Sequence, residues 1–356
     1  MHRPLFVLAA LSLAAACGDS PKRSDTAGAA APAQSTSSGA DLTGAGATFP
    51  APLYSKWFDA YASKTGVKIN YQPIGSGGGI RQLSEQTVDF GATDAPMSDV
   101  ELGKAKGGPV LHIPTALGAV VVIYNLPNVS AGLRLTGDVI AAIYQGQITK
   151  WNDPRIASLN SGVALPASDI LVVHRSDGSG TTYVFSDYLA SVSQAWSARP
   201  GTGKELQWPV GLGAKGNDGV SGQVKQTPGA IGYTELAYAT QNKLTTAAIR
   251  NANGEFVAPS IESVTAAAAG AVAKLPPNTD YRVSIVNAPG KGVYPISSFT
   301  WIIAYGKQAD AGKGHTLTEF LRWALTDGQG LEAALDYAPL PEAMRTALLS
   351  RLDSIK

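Results

Sequence analysis

Three short segments of small and hydroxylic residues carry the chemistry most legible in this chain. They read GAGATFP at 44–50, GSGGG at 75–79 and RSDGSGTT at 175–182. Each precedes a run with helical spacing, so each places its glycines and hydroxyls at a helix start. A helix N-terminus leaves backbone N–H groups without partners and carries the positive end of the peptide dipole, a ready oxyanion site. Glycine admits a ligand close to the backbone, and Ser and Thr hydroxyls add donors. Any one segment could be an ordinary N-cap. Three in one chain, one led by Arg175 four residues ahead of Ser179, point to a bound anion.

Catalytic patterns are absent. There is no G-x4-G-K-[ST] loop, no H-E-x-x-H and no G-x-S-x-G elbow. His174 stands beside Arg175 at a strand end, with no Ser-His-Asp spacing to make it a base, and reads as a partly exposed strand residue. Four histidines and one cysteine leave no material for a His- or Cys-rich metal centre. No metal or cofactor is called for.

The elements that must position these segments alternate between strand and helix. Strand signals fall at 67–71, 119–124, 170–173 and 298–305, and helical patterns at 53–61, 183–189 and 315–325. That interleaving argues for α/β units. An Ala-rich stretch at 266–273 reads as an exposed helix, and KGNDG and PGAIG at 215–219 and 228–232 as structural turns.

Composition bounds the rest. The chain has 356 residues, 44% of them apolar, with 28 Lys+Arg against 27 Asp+Glu. The length favours two units of ~150 residues, and a net charge of +1 excludes a broad footprint for nucleic acid. The start is a short basic stretch and an apolar run ending LAAAC, with the lone Cys17 at the cut point. The twelve residues of that run rise only ~18 Å as a helix, too short to span a bilayer. Residues 1–16 therefore read as a secretory signal peptide. Cleavage before Cys17 suits a lipoprotein, while Ala14-x-Ala16 also suits ordinary export. Residues 17–41 lack aromatic and large aliphatic side chains up to Leu42, and read as a flexible tether with a span of roughly 27 Å.

Six motifs in order narrow the reading: GAGATFPAP (44–52), YQPIGSGGGI (71–80), VDFGATDAP (88–96), RSDGSGTT (175–182), GLGAKGNDGV (211–220) and PGAIGY (228–233). From about residue 42 to YAPLP at 337–341, the chain closely resembles the phosphate-binding protein of the bacterial high-affinity ABC phosphate importer, the PstS family. The resemblance implies an α/β, two-lobe periplasmic binding protein-like II fold, each lobe a mixed sheet flanked by helices. Lobe 1 would comprise 42–116 and 298–356, lobe 2 would comprise 117–297, and the two crossings would lie near 115–119 and 295–299. It implies a monomeric, exported receptor, periplasmic or at the cell surface. Cys17 would carry a lipid anchor, and the partners would be inorganic phosphate and the permease subunits of the importer with its ATPase.

Carried over by position, the ligand shell is Thr48, Phe49, Ser76, Asp94, Arg175, Ser179, Gly180 and Thr181. Asp177 would pair with Arg175 and fix its rotamer. Arg175 supplies the one full positive charge, in a geometry suited to phosphate. Asp94 beside an anion makes sense if the ligand brings a proton. Phosphate does so at neutral pH and sulfate does not, which makes Asp94 the reader of protonation. Receptors for arsenate, sulfate or molybdate are the alternatives, with a secreted phosphohydrolase behind them; that enzyme would need a nucleophile beside a base, which neither Asp94 nor Ser179 has.

Overall fold

Residues 39–129, 132–272, 275–276 and 279–356 are described by the structure, a computed structural model. The expected signal peptide, Cys17 and the tether as far as residue 38 lie outside them. Twelve strands occur in the described residues: β1 Leu42–Gly46, β2 Ile69–Pro73, β3 Phe90–Thr93, β4 Val110–Tyr124, β5 Arg134–Leu135, β6 Leu171–Arg175, β7 Leu212–Ala214, β8 Ala230–Glu235, β9 Thr245–Thr246, β10 Ala248–Arg250, β11 Phe256–Val257 and β12 Ser297–Tyr305. The main sheet has nine strands in the order β2-β1-β3-β12-β4-β8-β6-β7, with β9 also on β4; β11, β10 and β5 form a small second sheet.

Two parallel blocks flank an antiparallel centre. β1 pairs in parallel with β2 and β3, and β6 pairs in parallel with β8 and β7. β4 joins them: its first part pairs with β12 as far as Ala119, and from Val120 it pairs with β8. All but one residue of β4 and all of β12 are buried, which is why both read as continuous apolar runs rather than alternating ones. Pro114 lies inside β4, and the β12 register slips beside it, leaving Thr115 as an extra residue between the Thr300↔Ala116 and Trp301↔Pro114 pairs. A proline has no N–H for the ladder, and a bulge absorbs that loss.

Aromatic side chains pack each block. The helix Ala51–Thr65 buries Tyr54, Trp57, Phe58 and Tyr61. Phe58 and Tyr61 meet Phe320 of the helix Ala311–Ala324 at ring separations of 5.4 and 5.3 Å. On the far side, Phe185 stacks on Tyr233 at 4.2 Å, and Tyr144 and Trp208 close around them. Among the described residues no helix is long and apolar enough to cross a membrane.

Two of the expected turns are part of regular structure. Gly44–Gly46 continue a strand, since β1 runs to Gly46. The helix expected from Ile80 begins at Ser76, so three glycines stand in its first turn. The same holds for 216–219, expected as a turn and found opening the helix Gly216–Gln226. The alanine-rich helix Ile261–Val272 buries Val264, Ala267 and Ala268 on one face.

Candidate anion-binding site

The C-terminal ends of parallel strands deliver the site, the edge at which open α/β sheets bind ligands. β1 ends into Thr48 and Phe49, β2 into the Ser76 helix, β3 into Asp94, and β6 at Arg175 ahead of Ser179, Gly180 and Thr181. All eight expected ligand residues are buried, seven of them at 4% exposure or less with Gly180 in the same class. They form two faces, one from β1–β3 and one from β6 and the helix Gly180–Val192.

The faces are in contact. Gly77 donates its backbone N–H to the Gly178 carbonyl at 2.8 Å. Asn217, in the first turn of the helix Gly216–Gln226, donates its backbone N–H and Nδ2 to Thr48 Oγ1 at 3.2 and 3.0 Å. Gly180 lies against the opposite face: a Cβ there would stand 2.5 Å from Asp94 Oδ2 and closer still to Ser76 Oγ. Only glycine fits that approach.

Hydrogen bonding gives the four hydroxyls one polarity. Thr48 Oγ1 accepts from Asn217, and Ser76 Oγ accepts from the Asp94 N–H at 3.2 Å. Ser179, the N-cap of its helix, accepts from the Thr182 N–H at 3.0 Å. Thr181 Oγ1 accepts from Arg175 Nη1 at 3.4 Å and from Asn217 Nδ2 at 3.2 Å. Each oxygen uses a lone pair on an N–H donor; the Ser76 hydroxyl also acts on the Asp94 carboxyl, while the O–H protons of Thr48, Ser179 and Thr181 meet no acceptor among the described residues. The first-turn N–H groups of Gly180 and Thr181 emerge from the same helix end.

Charge is arranged in opposite senses on the two faces. Arg175 Nε and Nη2 bind Asp177 Oδ1 and Oδ2 at 2.8 and 2.5 Å, a bidentate pair with the guanidinium 1% exposed. Burial alone would raise the Asp177 carboxyl, and the Arg175 guanidinium outweighs it, holding the group below the usual carboxylate range. Asp94 Oδ1 accepts the Thr300 hydroxyl at 2.8 Å, while Oδ2 is sealed from solvent with no partner among the described residues. Burial pushes the Asp94 carboxyl up to about 7, against the downward pull of Thr300, Arg175 and Ser76. A buried acceptor without a donor is costly unless a ligand supplies one.

Beyond the eight residues, the site recruits Asn217 and Thr300. Asn217 sits in a segment read from sequence as a structural turn, where it links Thr48, Thr181 and Arg175. Thr300 lies in a strand run beside the bulge at Thr115, whose hydroxyl donates to the Thr300 carbonyl at 3.2 Å. SFTWIIAY holds two polar hydroxyl residues, Ser298 and Thr300, and nothing local singles out Thr300. His174 stacks on Trp208 at 4.7 Å and is half-buried, a packing role. A cleft of about 280 Å³ outside Asp94 runs between Pro96–Ser98 and Tyr183–Asp187, with Lys204 and Arg282 on its rim. Among the described residues no group of His, Cys, Asp and Glu is placed to hold a metal ion.

Residues 31–327 match the PBP superfamily domain. The phosphate-binding protein PstS of Xylella fastidiosa (strain Temecula1) is 47% identical over 84% of this chain and 81% of its own. That of Methanocaldococcus jannaschii is 39% identical over 87% and 85%. Among solved structures, a high-affinity periplasmic phosphate-binding protein (PfluDING) bound with phosphate superposes with a TM-score of 0.71 at 22% identity, covering 87% of this chain and 93% of its own. The phosphate-binding protein of Stenotrophomonas maltophilia superposes at 0.67 and 21%, again over 87% and 93%. The fold is therefore the two-lobe type II arrangement of periplasmic binding proteins, as expected from the sequence, and the chain belongs to the PstS family of phosphate-binding proteins.

Proposed function

We propose that this protein captures inorganic phosphate between two lobes outside the cytoplasm and delivers it to an ABC importer. It is a receptor and not an enzyme. The observation that carries this reading is the polarity of the site. Hydroxyl protons, helix-end amides and the Arg175 guanidinium all offer donors, and one buried atom, Asp94 Oδ2, wants one. A tetrahedral oxyanion carrying a proton satisfies both demands at once. Thr48, Phe49, Ser76, Ser179, Gly180 and Thr181 are the uncharged donors, Arg175 the cation, Asp177 its support and Asp94 the acceptor. With Asp94 raised to about 7, the shared proton can start on either partner and the bridge still forms.

Closure follows from the same contacts. The lobes are 42–116 with 298–356, and 117–297, hinged where β4 passes from β12 to β8 and where 295–299 returns. Gly77–Gly178 and Thr48–Asn217 contacts form as they close. The closed form docks on the permease, and the ATPase drives opening. Cys17, at the end of the leader, carries the lipid that tethers the receptor to its membrane.

Calorimetry on the full chain, stripped of ligand by unfolding and refolding, tests this. Phosphate is expected to bind one-to-one, with sulfate silent at about pH 8, where Asp94 is ionised. Equal binding of the two anions, or none of either, sinks the reading.

A further inference from the structure

The first turn of the site is held from behind by three tyrosines. Tyr71, Tyr238 and Tyr337 donate their hydroxyls to the consecutive carbonyls of Ala47, Thr48 and Phe49 at 2.7, 2.6 and 2.6 Å. Each carbonyl shares a rigid peptide plane with the next residue's nitrogen. Tyr238 therefore aims the Phe49 N–H, and Tyr337 fixes the plane on the other side of Phe49.

Tyr337 makes a second contact that its single proton cannot serve. Its Oη is 3.1 Å from Glu235 Oε2, while its proton goes to the Phe49 carbonyl. Glu235 ends β8 opposite Val120, where β4 passes from β12 to β8, and is fully buried. Oε2 also accepts the Ala237 N–H at 2.8 Å, and Oε1 has no partner among the described residues. If Glu235 were a carboxylate, it would compete with the Phe49 carbonyl for the Tyr337 proton, with Oε1 a buried unpaired charge. As the acid, it donates to Tyr337, and both contacts are hydrogen bonds in series.

We infer that Glu235, acting as a neutral hydrogen-bond donor through Tyr337, is a positioning residue for the first turn of the anion site. The groups around it favour that state. Tyr337 and Tyr238 face it from the C-terminal segment and the following helix, and the charges acting on it, Asp336 and Asp94, are both negative. Burial, aided by those charges, pushes the carboxyl well above its ordinary range. A group so raised keeps its proton to a higher pH than an ordinary carboxyl and gives it up only as pH rises further. The Tyr337 proton then turns to the carboxylate, Phe49 is released, and anion affinity falls.

This rests on the phosphate reading above, and the test separates the two. Phosphate affinity of the full chain is measured across pH for wild type, Glu235→Gln and Tyr337→Phe. The ligand's own titration is common to all three. The wild-type to Glu235→Gln affinity ratio is expected to drop as pH rises, because glutamine cannot ionise. Tyr337→Phe should bind about tenfold more weakly, with an unpaired buried carbonyl behind Phe49. A ratio independent of pH, or a Tyr337→Phe variant that binds like wild type, overturns the inference. Infrared difference spectra of wild type against Glu235→Gln, without ligand, should show a protonated-carboxyl stretch at neutral pH; its absence also overturns it. Should Glu235→Gln fail to fold, Tyr337→Phe still decides the positioning role. A wild type that binds no phosphate refutes the functional reading, and the infrared result then stands or falls alone.

Discussion

On the face built from β6, Arg175 is gripped by both oxygens of Asp177 and touches Asn217 and Thr181, so every charge there has a partner before any anion arrives. On the face built from β1–β3, the Asp94 carboxyl has one hydroxyl partner and one buried oxygen with none. Both faces are made the same way, from strand ends and helix starts, yet only one stores an unmet demand. The balanced face can hold any oxyanion of the right size. On the phosphate reading, the unbalanced face is satisfied only by an anion that brings a proton once Asp94 has lost its own above about 7, so attraction and discrimination reside on different strands.

The sharpest way to break that division is Asp94→Asn. Asparagine can donate to a fully ionised oxyanion, and the phosphate-to-sulfate affinity ratio should collapse by about 10⁴. The same variant has a ligand-free signature. The folded Asp94 carboxyl, at about 7, holds its proton more tightly than the unfolded one near 3.8. Between those values the native state binds more protons, so wild-type stability falls as pH rises across that window. The melting temperature should drop by several degrees from this group alone, and Asp94→Asn should flatten that slope. Discrimination that survives the substitution would move selectivity to the other face.

Arg175→Met tests the opposite face. It removes the cation and strands Asp177, so phosphate affinity should fall about a thousandfold, sulfate remaining silent. If sulfate binding appears instead, Arg175 and not Asp94 is the discriminator. Gly180→Ala comes next, because it attacks the contact between the faces. Its Cβ would press on Asp94 Oδ2 and Ser76 Oγ. We expect about a hundredfold weaker phosphate binding, with small-angle scattering showing no compaction on adding phosphate. Compaction at wild-type level would mean that the faces need not meet so closely.

The two faces were also unequally legible in the sequence. RSDGSGTT presents Arg175, Asp177 and the helix start within eight residues, so local chemistry was enough to read most of one face. Thr48, Ser76 and Asp94 come from three separate strand ends, and only the family resemblance joined them. Thr300, 206 residues from Asp94, and Asn217, 169 residues from Thr48, were not read as site residues. Nothing local marks them. Thr300 reaches Asp94 from β12, and Asn217 reaches Thr48 from the helix Gly216–Gln226. Glu235 and Tyr337 were missed for the same reason: they act only where β8 and the C-terminal segment meet. The central strands were legible because burial on both sides makes apolar runs, whereas the glycines at 75–79 concealed a helix start that propensity alone disfavours.

The smallest expected effect lies at the rim, where Lys204 Nζ meets Glu101 Oε2 at 2.8 Å. Glu101 belongs to the short helix Asp99–Leu102 beside the Asp94 face, and the Lys204 carbonyl accepts the Ser179 N–H at 2.9 Å on the other. The pair thus ties the faces together without entering the site. Its side chains are 18% and 25% exposed, so solvent and salt weaken it, and Lys204→Met should raise the phosphate dissociation rate by about fivefold at most. Burial would raise the Glu101 carboxyl, but Lys204 and Ser98 more than offset it and leave it below its ordinary value. A depressed carboxyl contributes stability above its unfolded pKa and loses it as pH falls through the folded one, in this case on the acid side of 4.5. The Lys204→Met effect should therefore stay constant across the neutral range, where the Asp94→Asn effect changes most. Stopped-flow dissociation at several pH values separates them. A Lys204→Met effect that tracks pH as Asp94→Asn does would mean that the rim senses the same proton, and the division of labour between the two faces would not hold.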